Sequence, residues 1–221
     1  MSSAIARAGA TADTPLLIFP CNGNGLEALD CLGAAYRCVG FIDDTPAKQG
    51  QMVGGVPVLD RGALAAQLDA AVLAVPGSPT SYRTRAALIA GLGVEVERFA
   101  HVVHPRASVS PLAAVGRNVL IMAGAVVTSN AVIGDHVIIM PNTVVHHDVV
   151  IGPHSLIGAN VTIAGGVIVG DSCYVGSGTS IKNGLTVGDR ALIGLGSTVI
   201  RDVPAGTVVA GVPARPIERS E

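Results

Sequence analysis

The chain has 221 residues, of which 49% are hydrophobic and only 3% aromatic, and its formal net charge is −2. Without a cluster of Lys and Arg it has no electrostatic footprint for nucleic acid, and no apolar run reaches the ~18 residues that a membrane span needs. The first 14 residues lack the charged-then-apolar order of a signal peptide, so we expect a cytoplasmic protein with small-molecule partners.

Residues 15–100 alternate short apolar runs with helix-like stretches. Buried-strand patterns cover 15–19, 37–42 and 70–75, and helical spacing of apolar residues covers 26–32, 62–68 and 81–91. Strands that alternate with helices predict a small parallel α/β, Rossmann-like domain with ligands at the carboxyl ends of its strands. Residues 1–14 are expected to form a flexible N-terminus.

The first turn of this domain reads Pro20-Cys21-Asn22-Gly23-Asn24-Gly25, where a dinucleotide-binding fold would carry G-x-G-x-x-G. The sequence departs from that pattern at Pro20 and Asn22. The residues alone therefore leave two interpretations open, a degenerate phosphate loop and an ordinary strand-to-helix turn. The second strand ends at the acidic pair Asp43-Asp44.

From Val103 onward the sequence repeats with a period of six. Each sixth residue from there to Val199 is Val or Ile, in 17 successive positions without an insertion. A helix turns by ~100° per residue and cannot hold this repeat on one face, whereas three hexapeptide sides close one coil of short strands. Coils of this kind stack at the usual strand spacing of about 4.8 Å. The pattern predicts a parallel β-helix of nearly six coils.

This repeat resembles that of the hexapeptide-repeat acyltransferases, whose parallel β-helix is left-handed. The order of the N-terminal elements, with Gly40-Phe41-Ile42-Asp43-Asp44 and Gly54-Gly55-Val56-Pro57-Val58-Leu59, is similar to bacterial NDP-amino-sugar N-acetyltransferases and sialic acid O-acetyltransferases. The resemblance implies a nucleotide-sugar-binding α/β domain at 15–100 and a β-helix acetyltransferase domain with a C-terminal cap at 101–221. It also implies that the nucleotide is held by Asn22, Gly23, Asn24, Asp43 and Asp44.

Two histidines and a carboxylate, His146-His147-Asp148, interrupt the aliphatic repeat in VVHHDVVIG. They follow the inward Val145 and should lie outside the core, which fits either catalysis or a solvated corner. A histidine can take a proton near neutral pH, and a neighbouring carboxylate fixes its tautomer. Because the family carries a His-acid pair at this register, the resemblance implies that His147 is the general base and Asp148 its polariser.

Several further residues acquire a role from the same resemblance. Gly165 follows His147 by one full coil and should lie directly above it, and relatives use a glycine amide there to bind the thioester oxygen. Leu156 occupies the position of a second active-site histidine in many relatives. The tail 210–216 resembles a segment that lies beside CoA, with a simple capping segment as the alternative. Contacts with acetyl-CoA are thus assigned to Gly165, Leu156, Ser177, Leu195 and Arg215.

The leading hypothesis is an acetyl-CoA-dependent N-acetyltransferase that acts on a nucleotide-linked amino sugar, with no metal and no nucleic-acid partner. The family usually forms trimers with active sites between subunits. Outward Met122, Met140 and Leu195 near the proposed cleft also predict a homotrimer.

Three alternatives stay open. The first is an O-acetyltransferase that uses the same machinery on a sialic acid or another sugar hydroxyl. The second is a zinc-dependent β-helix enzyme with histidines from two chains, which is disfavoured because the positions 18 and 36 residues before His147 are Ser129 and Pro111. His136 and His154, one coil apart, should stack at one corner, but two ligands are too few for a metal site. The third is a non-catalytic scaffold.

Overall fold

The computed structural model describes residues 13–217. The flexible segment expected at 1–14 lies outside these residues, apart from Asp13 and Thr14, and Thr14 already begins the first strand. The N-terminal elements are β1 Thr14–Phe19, α1 Gly23–Leu29, β2 Tyr36–Ile42, β3 Met52–Val53, β4 Val56–Leu59, α2 Gly62–Ala66, β5 Ala71–Ala74, a 3₁₀ turn Tyr82–Thr84, α3 Arg85–Ala90 and a 3₁₀ turn Val96–Arg98.

These strands form one twisted sheet in the order β3-β4-β2-β1-β5, parallel except for the β3–β4 hairpin. Strand β1, which lies between β2 and β5, is buried on both sides, because Leu16 and Ile18 join one apolar cluster while Leu17 and Phe19 join another. The predicted parallel α/β fold is confirmed. The hairpin at 52–59 is an addition that the apolar pattern did not predict, since its two strands are short.

Every hexapeptide of the repeat contributes one two-residue strand. They are β6 Val102–Val103, β7 Ser108–Val109, β8 Ala114–Val115, β9 Leu120–Ile121, β10 Val126–Val127, β11 Val132–Ile133, β12 Ile138–Ile139, β13 Val144–Val145, β14 Val150–Ile151, β15 Leu156–Ile157, β16 Thr162–Ile163, β17 Ile168–Val169, β18 Tyr174–Val175, β19 Ser180–Ile181, β20 Thr186–Val187, β21 Leu192–Ile193 and β22 Thr198–Val199, followed by β23 Val208–Gly211 and β24 Ala214–Pro216.

The strands stack into three parallel sheets, which we number in chain order. Face 1 runs from β6 through β9, β12, β15, β18 and β21 to β23 and β24; face 2 runs from β7 to β22, and face 3 from β8 to β20. Each strand pairs with the equivalent strand of the next coil, as Val145 does with Val127 and Ile163. The repeat positions point inward, and those from Ile121 to Val199 are each at most 2% exposed. The predicted parallel β-helix is confirmed.

The corners of the prism also follow the period of six. Every sixth residue from Asn118 to Gly196 has a φ between 53° and 73°, in the left-handed region. Glycine, Asn and Asp adopt this region most readily, and nine of these fourteen corner positions are Gly or Asn. Asp148 occupies one of the others, with a φ of 59°. The catalytic candidate thus lies at a position where the backbone itself restricts the choice of residue.

The N-terminal sheet covers the outer side of face 1. Outward side chains of this face, including Leu120, Ile138 and Leu156, form one buried cluster with Leu16 and Ile18 of β1. The expectation that Met122 and Met140 lie exposed at a subunit interface is therefore wrong: Met122 is 1% exposed and Met140 packs against the same cluster. The sequence phase distinguishes inward from outward, but not which outward face another domain covers.

Polar contacts fix this junction between the two parts of the chain. Asn118 exchanges two hydrogen bonds with the backbone of Ala74, at 2.7 and 2.8 Å, as a neighbouring strand would. The buried Arg85 donates from Nε to Pro76 O at 2.6 Å and from a terminal nitrogen to His136 O. Because Pro76 follows β5 and His136 lies on the β-helix, Arg85 ties the carboxyl edge of the sheet to the prism.

Candidate active site

His147 lies on the corner between faces 2 and 3, between β13 and β14. Val145 points into the core and is fully buried, whereas the side chain of His147 is 65% exposed. The six-residue phase produces this arrangement, because two residues after an inward position the chain reaches the corner and turns its side chain outward. His146, one residue earlier, is only half-buried on the outer surface of face 2.

The imidazole of His147 is held by the carboxylate of Asp148. Nδ1 of His147 lies 2.7 Å from Oδ2 of Asp148, and Asn130 donates from Nδ2 to Oδ1 of the same carboxylate at 3.1 Å. The hydrogen bond from His147, followed by that from Asn130, holds the pKa of Asp148 below its ordinary value. An ionised carboxylate can only accept, so it selects the tautomer with a proton on Nδ1 and leaves the lone pair of Nε2 free.

Gly165 lies directly beside this ring, where the coil arithmetic places it. A methyl group at Gly165 would lie 2.6 Å from Cε1 and 2.7 Å from Nε2 of His147. Only a residue without a side chain leaves the imidazole in place. Within residues 13–217 the amide of Gly165 has no hydrogen-bond acceptor, whereas the amide of Gly166 donates to His147 O at 3.0 Å. The free edge of the imidazole and an available backbone donor therefore border one space.

The residues assigned to acetyl-CoA do not all meet in one chain. Ser177 and the 81% exposed Leu195 lie on the corner between faces 1 and 2, separated from His147 by the width of face 2. Ser177 accepts a hydrogen bond from the amide of Ala159 at 3.1 Å. Arg215 is exposed on β24, at the end of face 1. None of these three side chains lies on the corner that carries His147.

The assignment of Leu156 to acetyl-CoA disagrees with the structure. Its side chain is fully buried between face 1 and the N-terminal sheet, and a methyl group at Gly77 would lie 2.7 Å from its Cδ1. An outward position on face 1 is covered by the sheet in this chain, so Leu156 has no surface to offer a ligand. It contributes to the junction between the two parts instead.

The turn that was predicted to bind the nucleotide lies at the carboxyl edge of the N-terminal sheet. Asn22 is the N-cap of α1 and accepts from the amide of Gly25 at 2.9 Å, while Asn24 donates to Val75 O and Gly77 O, both at 3.2 Å. Gly23 is exposed. Gly25 must be a glycine because a methyl group there would overlap Pro20 O. Both asparagine side chains therefore shape the turn, and Gly23 between them stays exposed.

In the acidic pair at the end of β2, the carboxylate of Asp43 already has hydrogen-bond partners within the chain. Asp43 is 3% exposed, and its carboxylate accepts from the amide of Thr45 and from Lys48 Nζ, both at 2.9 Å. Burial alone would raise the pKa of Asp43, but the hydrogen bonds from Lys48 and Thr45 together lower it. Lys48 also donates to Cys21 O at 2.7 Å, so Asp43 ties the loop after β2 to the turn after β1. Lys48 was not predicted, because nothing in the sequence shows that a loop lysine reaches Cys21.

Asp44, in contrast, faces outward. It forms a two-bond ion pair with Arg61, at 2.6 and 2.7 Å, and its side chain is 50% exposed. The pair lies at the same edge of the sheet as the turn, since Asp44 follows β2 and Arg61 follows β4.

His136 and His154 stack as predicted, with ring centroids 4.6 Å apart and planes inclined by 8°. Burial, together with His154 and Arg85, lowers the pKa of His136 to about 4. Burial and Arg85 also lower the pKa of His154. The stack lies on the corner between faces 3 and 1, against α3 and away from His147. Two neutral imidazoles in this place belong to the junction between the two parts.

Neither a metal cluster nor a membrane span occurs in the described part of the chain. Residues 13–217 hold no group of three or more His, Cys, Asp or Glu side chains arranged for a metal ion. The helices in the same range are all too short or too polar to span a membrane.

Comparisons with known families support the repeat directly. Residues 112–147 and 130–165 match the bacterial transferase hexapeptide family (six repeats), and residues 148–183 match the hexapeptide repeat of succinyl-transferase. A comparison with curated proteins gives no significant match.

Solved structures align with nearly the whole chain. A mutant of perosamine N-acetyltransferase from Caulobacter crescentus, in complex with CoA and GDP-perosamine, is 28% identical over 95% of this chain and 99% of its own, with a TM-score of 0.80. The acetyltransferase domain of PglB from Neisseria gonorrhoeae FA1090, in complex with acetyl coenzyme A, is 29% identical over 93% and 100%, with a TM-score of 0.80. WeeI from Acinetobacter baumannii AYE is 25% identical over 91% and 99%, with a TM-score of 0.78.

These alignments span both the α/β part and the β-helix, and the family matches fall on the repeat that contains His147 and Gly165. The chain therefore carries the bacterial transferase hexapeptide repeat, and over more than nine-tenths of its length it is similar to solved acetyltransferases of the sugar N-acetyltransferase type.

Proposed function

We propose that the protein transfers the acetyl group of acetyl-CoA to the free amine of a nucleotide-linked amino sugar, in the cytoplasm. The observation that carries the proposal is the His147 ring, with its Nδ1 bonded to Asp148 and its opposite edge beside Gly165. Relatives that align over more than nine-tenths of the chain were crystallised with CoA and GDP-perosamine or with acetyl coenzyme A. Both substrates therefore have precedents on this fold.

The geometry suggests a direct transfer without a covalent enzyme intermediate. The amine attacks the thioester carbonyl carbon, and Nε2 of His147 takes the proton that the nitrogen loses as the C–N bond forms. The carbonyl oxygen gains negative charge at the same time, and the amide of Gly165, unpaired within the described residues, is placed to donate to it. When the C–S bond breaks, the imidazolium returns the proton to the CoA thiolate. Asp148 stabilises the imidazolium between these two steps.

The direct test is release of the CoA thiol by the purified protein with acetyl-CoA and a panel of acceptors. NDP-amino sugars with free amines should be acetylated, whereas the matching NDP sugars with a hydroxyl and the free amino sugars should not. Turnover of a sugar hydroxyl or of a free sialic acid would instead support the O-acetyltransferase alternative. Failure to bind acetyl-CoA at all would identify a non-catalytic scaffold.

We propose that the edge formed by Asn22, Gly23, Asn24, Asp43 and Asp44 binds the nucleotide. Because both oxygens of Asp43 already have partners, its contribution is to hold the loop after β2 against the turn after β1. The exposed backbone of the turn and the outward Asp44 then face the nucleotide.

Asp43→Ala should raise the KM for the nucleotide sugar by roughly tenfold, because it removes a charged hydrogen-bond partner and frees the loop. The KM for acetyl-CoA should not change, since that substrate is assigned to the β-helix. Lys48→Met should produce a similar increase if the two side chains act as one unit. Unchanged sugar kinetics in both variants would assign this part of the chain a purely structural role.

We also propose that the protein is a homotrimer. Ser177 and Leu195 lie on the corner between faces 1 and 2, and Arg215 lies at the end of face 1, so a neighbouring copy would bring these side chains to the His147 corner. The outer side of face 3 carries an apolar stripe in one register, Val132, Val150 and Ile168, which are 44%, 38% and 48% exposed. A contiguous stripe of this kind is typical of a protein interface.

Light scattering should therefore give the mass of three chains at micromolar concentration. Val150→Glu, at the centre of the stripe, should lower the mass and the activity together, because a carboxylate would be buried without a partner. Leu68→Glu is the matched control, since Leu68 is an apolar residue of the N-terminal part that is 69% exposed and outside the stripe. A wild-type monomer with full activity would contradict the shared site.

A further inference from the structure

Asn130 contacts the catalytic candidate from the preceding coil. It donates from Nδ2 to Oδ1 of the Asp148 carboxylate at 3.1 Å, while Oδ2 of the same carboxylate lies 2.7 Å from Nδ1 of His147. Asn130 and Asp148 occupy equivalent corner positions, with φ of 60° and 59°. The three side chains form one hydrogen-bonded row along the corner between faces 2 and 3.

This row compensates for the exposure of the pair. The side chains of His147 and Asp148 are 65% and 56% exposed, so water competes for both ends of their hydrogen bond. A carboxylate with one partner can rotate about its Cβ–Cγ bond and release the imidazole. A second hydrogen bond to its other oxygen fixes the carboxylate plane. The equivalent position in the following coil is Gly166, which has no side chain, so the support comes from Asn130 alone on this corner of the described chain.

We propose that Asn130 is a positioning residue that orients the Asp148 carboxylate and thereby keeps His147 in the tautomer with a free Nε2. The inference rests on the proposed role of His147 as general base. It assigns Asn130 no contact with either substrate. Its effect should therefore appear in kcat and in the pH–rate profile, and not in the KM values.

Asn130→Gly tests this without straining the corner, because glycine adopts a positive φ freely. We expect kcat to fall by about 3- to 10-fold, the loss of one hydrogen bond, with both KM values unchanged. The acidic limb of the pH–rate profile should move to lower pH, in the same direction as for Asp148→Asn but by less. Asn160→Gly is the matched control: Asn160 is an exposed corner asparagine with a φ of 55°, on the corner between faces 1 and 2. It should retain the wild-type pH profile.

Asn130→Asp provides a second variant that tolerates the corner conformation. An ionised aspartate cannot donate and would place a second carboxylate beside Asp148, so we expect a loss of kcat at least as large as that of Asn130→Gly. If Asn130 served only the backbone turn, this variant would behave as the wild type. That result would overturn the inference.

A double-mutant cycle separates this inference from the proposed function. In the Asp148→Asn background, Asn130→Gly should have no further effect on kcat, because its route of action is already removed. Additive losses would mean that Asn130 acts elsewhere. If His147→Asn itself retained full activity, the proposed base would be wrong, whereas a large loss in His147→Asn with a wild-type profile in Asn130→Gly would contradict only the inference.

Discussion

Replacing His147 with Asn should lower kcat by about 10²–10⁴-fold, because the amide keeps some hydrogen bonding but cannot take a proton near neutral pH. The KM for acetyl-CoA and the oligomeric state should not change, since the side chain is exposed and supports no part of the core. Steady-state kinetics with the NDP-amino sugar identified in the acceptor panel provide the measurement.

The neighbouring histidine provides the control for this prediction. His146→Asn should change kcat by only a small factor, because His146 lies half-buried on the outer surface of face 2 and not on the corner. Asp148→Asn should fall between the two histidine variants. Because the pKa of Asp148 is lowered, its carboxylate stays ionised through the working range and remains a hydrogen-bond acceptor for His147. Without the carboxylate, the acidic limb of the pH–rate profile should move to lower pH.

The two histidine variants also define what would contradict this mechanism. If His146→Asn lost activity and His147→Asn did not, the resemblance to the family would be out of register by one residue. If neither lost activity, the amine would be deprotonated in solution and general-base catalysis from this corner would be wrong.

Gly165→Ala should lower kcat by about 100-fold while leaving the fold intact. The added methyl group would lie 2.6 Å from Cε1 and 2.7 Å from Nε2 of His147, so the ring must move by a distance that is large for a proton transfer. The exposed ring can move without disturbing the core, and the alanine still carries the backbone amide. Circular dichroism and kinetics on the same preparation would separate folding from activity.

The adjacent glycine provides a matched control, in which stability should fall while kcat is largely kept. Gly166 has a φ of 70° and open space where a methyl group would lie, so Gly166→Ala strains the backbone without touching the ring. It should lower the free energy of unfolding by about 1 kcal/mol and retain most of kcat. In the His147→Asn background, Gly165→Ala should add little. Independent losses there would show that the methyl group acts on the substrate and not on the base.

The inward side of the prism was predictable residue by residue because the period of six has no insertion. The same arithmetic predicted that Gly165 lies beside His147. Applied backwards by one coil from Asp148, it also points to Asn130, the partner that the sequence analysis missed. In a coil of fixed length, sequence separation specifies which side chains are neighbours along a corner.

Other features depend on tertiary contacts that the six-residue repeat does not predict. Met122 and Met140 were correctly placed outside the prism, but the N-terminal sheet, docked on face 1 through Arg85 and Asn118, buries Met122 and partly buries Met140. The partners of Asp43 were equally inaccessible to sequence reasoning, because Lys48 reaches it from a loop without periodicity.

Because the register is uninterrupted, the number of coils in the β-helix sets the distance between sites along its axis. Removing or adding one whole coil, three hexapeptides, between β14 and β22 would preserve every inward position and every corner, since each residue would stack on an equivalent one. It would change the height of Arg215 above His147 by one strand spacing, about 4.8 Å. Under the proposed function, the number of coils would therefore specify the length of the acyl carrier arm that can lie between the terminal cap and the base.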